Sequence, residues 1–231
     1  MEFLENKYLL LAFTFGVFAM AKWLQKRMGW ILLNPILLTI ALLIIFLKLS
    51  GISYETYCEG GQLIEFWLKP AVVALGVPLY LQLEMIKKQL FPILLSQLVG
   101  CLVGIVSVIL IAKGLGATSD VICSLAPKSV TSPIAMEVSA ATGGIPSLSA
   151  AVVIVVGLFG AVFGFKLLGL GQVKSPIAQG LSMGTASHAI GTSAAMEVSR
   201  KYGAYASLGL TLNGILTALL APSILRLLGI I

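Results

Sequence analysis

The chain has 231 residues, of which 58% are hydrophobic and only 10% charged, with a formal net charge of +6. So few charges cannot clothe the surface of a water-soluble domain, and the composition places the chain in a membrane. The positive balance excludes nothing further and does not point to nucleic acid. Lys22, Lys26 and Arg27 share one short loop and Lys87 and Lys88 another, where basic residues orient helices, and neither loop interleaves aromatics.

In chain order, six apolar blocks cover 7–24, 29–48, 69–86, 91–112, 147–168 and 204–226. Each is close to the roughly 20 residues that a helix needs to cross hydrocarbon. The first lacks a small-residue cleavage site and runs straight into the second, so it reads as a retained helix. With the basic 22–28 loop in the cytoplasm, the N-terminus lies outside, as does the acidic 51–68 stretch carrying Glu55, Glu59 and Glu65. The Lys87/Lys88 turn then falls inside, and the fourth block ends outside near Lys113. In the third block Pro70, Gly76 and Pro78 predict a kinked helix, with Gln82 four residues past the last proline; Asn34-Pro35 in the second block allows the same reading. Cys58, Cys101 and Cys123 have neither metal nor disulfide spacing, so no metal and no cofactor is expected.

Two segments interrupt this pattern, 117–145 and 172–203, both rich in Ser, Thr, Gly and Pro. The first reads as a short helix, a break from Pro127 to Pro133, and a second short helix stopped by Gly143-Gly144. The second reads as a helix starting at Ser175-Pro176, a break from His188 to Ser193, and a helix ending near Gly203. Setting residues 126–150 against 186–210 gives nine identities in twenty-five positions, including Ala-Met-Glu-Val-Ser in both copies; typical residue frequencies give about two. The expectation is an internal repeat at an offset of 60, each unit a broken segment followed by a crossing helix. The fold class is thus an all-α polytopic membrane protein with six transmembrane helices and two re-entrant segments, or eight crossings if the broken segments span. Residues 1–231 form a single domain, with N-terminal helices over 1–116 and two repeats over 117–231.

Unwound backbone in a bilayer is tolerated only where protein or a water-filled cavity surrounds it, and paired interrupted segments mark a transporter's binding site. The second half-helices start near Pro133 and Ser193, and helix N-termini favour anions. Lys128 and His188 occupy equivalent positions just before them, a cationic floor for a small carboxylate. Ser129, Thr131, Ser132, Thr192 and Ser193, with Ser187 beside them, supply hydroxyls. Glu137 and Glu197, at membrane depth, are the candidates for proton coupling. Plainer uses exist for the same residues: small and hydroxylated side chains pack helices closely, carboxylates cap or pair, and a lone histidine can be structural. No nucleophile motif is present and no enzyme activity is expected.

Three stretches, "KPAVVALGVPLY" at 69–80, "APKSVTSPIAMEVSAATGGIPSLSA" at 126–150 and "GTASHAIGTSAAMEVS" at 184–199, make the chain resemble the LrgB/CidB family of bacterial inner-membrane proteins and their chloroplast relatives. The resemblance implies a multi-pass protein of the cell inner membrane with a smaller LrgA/CidA-type partner. It also implies an antiholin-like or holin-like role in murein hydrolase activity and autolysis; plastid relatives resemble glycolate/glycerate carriers, and some bacterial systems are associated with pyruvate uptake. Lys69, where a glycine is common, and Ala194, near which an arginine is common, depart from the family pattern. The leading expectation is a proton-coupled carrier of small monocarboxylates or hydroxycarboxylates; the alternative is a holin/antiholin-like pore or regulator. Expected partners are the carboxylate, the LrgA/CidA-type protein, the lipid bilayer and a homo-oligomer, with no nucleic acid.

Overall fold

The computed structural model describes residues 6–28, 35–67 and 89–231, with positions 70, 80, 84 and 87 besides. The expected kink at Gly76, Pro78 and Gln82, and Asn34, lie outside the described residues. All regular structure among the described residues is helical. Four of these helices are long and apolar enough to cross a membrane.

Packing divides the chain into two units after Ala71. In the first, α1 (Lys7–Met28) packs against α2 (Pro35–Ser50) and α3 (Tyr54–Glu65). Leu10, Val17 and Ala21 form the buried stripe of α1, and the rings of Phe13 and Phe46 stack with centroids 4.3 Å apart. The acidic stretch is more ordered than a loop. Ser53 caps it by accepting from the Thr56 amide, and Thr14 Oγ1 meets Tyr57 Oη at 2.9 Å, so it folds as α3 along α1.

The second unit begins with α4 (Leu90–Gly114), whose buried side chains Ile93, Gln97, Cys101, Ile105 and Ile109 recur every four residues. A glutamine thus stands in an otherwise apolar stripe. Next comes the first broken segment: α5 (Ser119–Leu125), a turn over 126–131, and α6 (Ser132–Ala141). Pro127 has no amide hydrogen to continue the ladder of α5, and Thr131 turns extended to start α6, with Pro133 in its first turn. α6 stops at Gly143, whose φ of +79° suits a residue without Cβ, and the Gly144 amide closes on Ser139 O at 2.8 Å. A Cβ on Gly144 would stand 2.8 Å from the Ser124 amide nitrogen, so the chain returns against α5 only because that residue is glycine. Ser124 ties the turn: its hydroxyl accepts from the Ile145 amide and its carbonyl accepts from Ser149 Oγ on α7 (Pro146–Leu170).

The second broken segment is a single element, α8 (Pro176–Val198), bent at Ser187 (φ −129°, ψ 16°) and His188 (φ 42°, ψ −137°). Its break is narrower than the sequence predicts, two residues rather than His188 to Ser193. The cause lies in the prolines: Pro133 has Ser193 as its counterpart, so nothing stops Ala189 to Ser193 from winding. The Thr192 and Ser193 hydroxyls bond back to the carbonyls of His188 and Ala189, as helical Thr and Ser do. The helix also ends earlier than Gly203. Ser199 is extended (φ −169°) and caps α9 (Arg200–Leu227), and Gly203 belongs to the first turn of that helix.

α9 is the centre of the unit, with contacts to α4, α6 and, most extensively, α8. Its approach to α8 is set by glycines. A Cβ on Gly180 would meet Tyr202 O at 2.8 Å, one on Gly209 would meet Leu181 O at 2.5 Å, and one on Gly184 would overlap Ala206 O. Backbones this close gain dispersion contacts where burial from water contributes little.

Candidate functional site

The centre is built around Asn213, fully buried in the middle of α9. Its Nδ2 donates to Ser129 O at 3.1 Å and to Thr185 O at 3.0 Å. The first carbonyl belongs to the turn between α5 and α6. The second lies two residues before the bend of α8. One amide therefore serves backbone from both interruptions, which lipid could not have solvated. The expectation that the two breaks come together is met here.

A small cavity of ≈ 20 Å³ lies at this junction, lined by Ser129, Thr185, Asn213, Thr217, Cys101 and small residues of α4 and the turn. On the other side of Thr185 a groove of ≈ 460 Å³ runs between α4 and the first half of α8, from Gln89 and Ser175 down to Gly100 and Ala186. Among the described residues, none that lines either space is charged. Gly100 and Thr185 line both, and Thr185 Oγ1 donates to Gln97 Oε1 at 2.6 Å at this neck. A hydrogen-bonded chain thus runs from Gln97 through Thr185 and Asn213 to Ser129, whose hydroxyl accepts from Lys128 Nζ at 3.0 Å.

The predicted residues separate into three groups. Lys128 and Ser129 are half-buried in the turn and join this chain. Thr131 occupies the N-cap of α6 without capping it, and its buried Oγ1 has no partner; Ser132 follows as the first residue of α6. That helix start therefore has no side-chain cap, and helix N-termini of this kind carry a partial positive charge.

His188 and Thr192 are buried but engaged elsewhere. The His188 ring turns to α7, where Nε2 donates to Val153 O at 2.7 Å, and Thr192 Oγ1 holds the His188 carbonyl. The imidazole lines neither space, and neither does Lys128, which reaches the polar centre only through its bond to the Ser129 hydroxyl. Room for the ring comes from Gly157, where a Cβ would stand 2.5 Å from His188 Cε1; Ser187 fits against Gly160 in the same way. Gly157→Ala should therefore destabilise the fold by about 1–3 kcal/mol through overpacking, read as a lower unfolding temperature in detergent. His188→Ala in the same chain should recover part of the loss, whereas additive effects of the two changes would contradict this account of the ring.

Ser193, Glu137 and Glu197 are exposed, and none lines the groove or the cavity. Among the described residues the one ion pair is Lys87 with Glu84, so neither glutamate has a cationic partner there. The structure leaves both on the surface of their helices, away from the lining to which proton coupling would assign them.

Asn213, Gln97, Thr185 and Thr217 were not singled out from sequence. A signal did exist, since Asn213 and Gln97 are lone amides inside apolar blocks, and a polar group at membrane depth marks function by default.

The chain matches the LrgB-like family over residues 14–227. It is 38% identical to an uncharacterized protein of Haemophilus influenzae, over 96% of this chain and 97% of that one. The holin-like protein CidB of Staphylococcus epidermidis is 36% identical over 96% of this chain and 99% of its own length. The antiholin-like protein LrgB of Bacillus subtilis is 35% identical over 95% and 94%. No solved structure matches the chain.

Proposed function

The chain belongs to the LrgB-like family of membrane proteins, and from that membership and the geometry of its two breaks we propose that it carries small monocarboxylates or hydroxycarboxylates across the cell inner membrane. The observation that carries this reading is the turn between α5 and α6. Lys128, the orphaned Thr131 hydroxyl and the uncapped start of α6 follow one another along it, and Ser129 joins Lys128 to the chain of hydrogen bonds that leads in from the groove. A carboxylate at that turn receives a charge-assisted bond and the helix dipole together. The 60-residue offset supports an exchange between repeats. Val153 and Asn213 occupy equivalent positions on the helices following the breaks, and each holds the break of the other copy, at His188 and at Ser129. Movement of one repeat against the remaining helices then alternates access. Coupling by Glu137 and Glu197 is not part of this proposal, and neither is catalysis.

The names of the relatives favour a second reading, a holin-like or antiholin-like role in which the chain controls envelope permeability with an LrgA/CidA-type partner. Uptake of labelled pyruvate, glycolate and lactate into vesicles, with and without that partner, separates the two. A carrier gives saturable uptake, and Lys128→Ala lowers it at least about tenfold, the loss of one charge-assisted hydrogen bond. Non-saturable flux of unrelated solutes, indifferent to Lys128→Ala, supports the pore and sinks the carrier.

A further inference from the structure

The cavity at Asn213 has a chemistry that the carboxylate reading does not use. Its ≈ 20 Å³ exceeds the 10–15 Å³ or so that a single water-sized occupant needs. The amide donors of its polar lining are already committed, and the hydroxyl protons of Ser129 and Thr217 are the ones left open. Both Asn213 N–H groups go to Ser129 O and Thr185 O; the Thr185 proton goes to Gln97 or to Leu181 O; the Thr217 hydroxyl pairs with Cys101 Sγ at 3.4 Å. Against those two hydroxyl protons stand the lone pairs of four lining residues, and Asn213 Oδ1 is buried with no partner at all. A water there could satisfy Oδ1 with one hydrogen and uses at most two of these oxygens as acceptors, whereas a cation draws on all of them, with the Ser129 and Thr217 hydroxyls turned so that their oxygens face it. With no carboxylate in the lining the ligand set is neutral, which suits a single positive charge and not Ca²⁺ or Mg²⁺. Carbonyls freed by broken helices serve this purpose in membrane carriers.

We propose that the cavity between the two breaks binds one dehydrated alkali cation, Na⁺, through oxygens of Ser129, Thr185, Asn213 and Thr217. The lining lacks the His, Cys and acidic clusters by which metal sites are found in sequence, so the expectation of no metal did not reach it. In the carrier reading, on which only the role and not the existence of the site rests, Na⁺ takes the coupling role expected of the glutamates. Lys128, bonded to the Ser129 hydroxyl, adds a second positive charge nearby, and a carboxylate at the start of α6 relieves the repulsion between them. Cation and anion therefore favour each other's binding.

The test is the unfolding temperature of the purified full-length chain in NaCl, KCl and choline chloride at constant ionic strength, without substrate. The expected result is a saturable rise with Na⁺ that choline does not give. Thr217→Val, which removes one oxygen at constant shape, should raise the half-saturating Na⁺ concentration about tenfold. Should that variant not fold, Ser129→Ala serves instead, since it removes another lining hydroxyl and keeps the backbone carbonyl that Asn213 holds. Equal unfolding temperatures in all three salts overturn the site and leave the cavity to water. A Na⁺ response unchanged in the folded variant places the ion elsewhere and overturns it too. Because no uptake is measured, failure of the carrier reading leaves this result intact, and the reverse holds as well.

Discussion

Gly184→Val is expected to prevent the folded protein from accumulating. The Cβ of any residue at 184 would overlap the Ala206 carbonyl oxygen, and the next atoms met are Ala206 C and Leu210 N, all backbone. No side chain can rotate away, so relief requires α8 and α9 to separate. Their contact also depends on Gly180 and Gly209 at the same seam, and separation forfeits all three close approaches. We expect a loss of at least about 3 kcal/mol, the upper end of overpacking penalties. Size-exclusion chromatography after heating is the measurement: Gly184→Val should elute as aggregate under conditions where wild type stays monodisperse. Gly16→Val, at a position with no atom within 4 Å of its Cβ, should behave as wild type. A monodisperse Gly184→Val protein would mean that α8 and α9 do not pack this closely.

Asn213→Leu has the second largest expected effect, with a different cause. Leucine fills nearly the same volume and suits a membrane helix, but it leaves the carbonyls of Ser129 and Thr185 without their shared donor. A single interhelical hydrogen bond in a membrane is commonly worth only about 0.6 kcal/mol, because the alternatives also find partners. Here the partners left behind are buried backbone oxygens at two helix breaks, each of which costs about 1–3 kcal/mol unpaired. The sum is about 2–6 kcal/mol, and the loss should be accompanied by loosening at the breaks. Hydrogen exchange read by mass spectrometry should show faster exchange confined to 126–135 and 185–192. Uniform exchange across α9 with the breaks unaffected would contradict the bridging role.

Four of the six expected membrane-spanning elements were legible among the described residues, because hydropathy and length alone decide them. The blocks at 91–112 and 147–168 became α4 and α7 with ends within two residues. The first break was legible because Pro127 and Gly143-Gly144 act locally on the backbone. The second was drawn five residues too long at its end because its bend has no proline and no glycine at 187–188. It depends instead on tertiary packing of Ser187 and His188 into the glycine face of α7, which no local pattern announces. His188 and Lys128 match in sequence position yet differ in use. The ring found a carbonyl on α7, while the flexible ammonium stayed with Ser129. The glutamates illustrate the limit of the membrane-depth rule: sequence gives their register on α6 and α8 but not which way those helices face. Asn213 was hidden by the repeat itself, since its counterpart Val153 is apolar and the alignment gave no reason to look there.

The account rests on the two breaks meeting at one buried polar centre, and the most direct measurement is cross-linking between them in native membranes. With the native cysteines replaced, Ser129→Cys together with Thr185→Cys should form a disulfide or a short methanethiosulfonate bridge in high yield, because both positions line the same ≈ 20 Å³ cavity. Each single variant should give none within the chain. A double variant that reacts with monofunctional thiol reagents at both positions yet gives no intramolecular bridge would contradict the account.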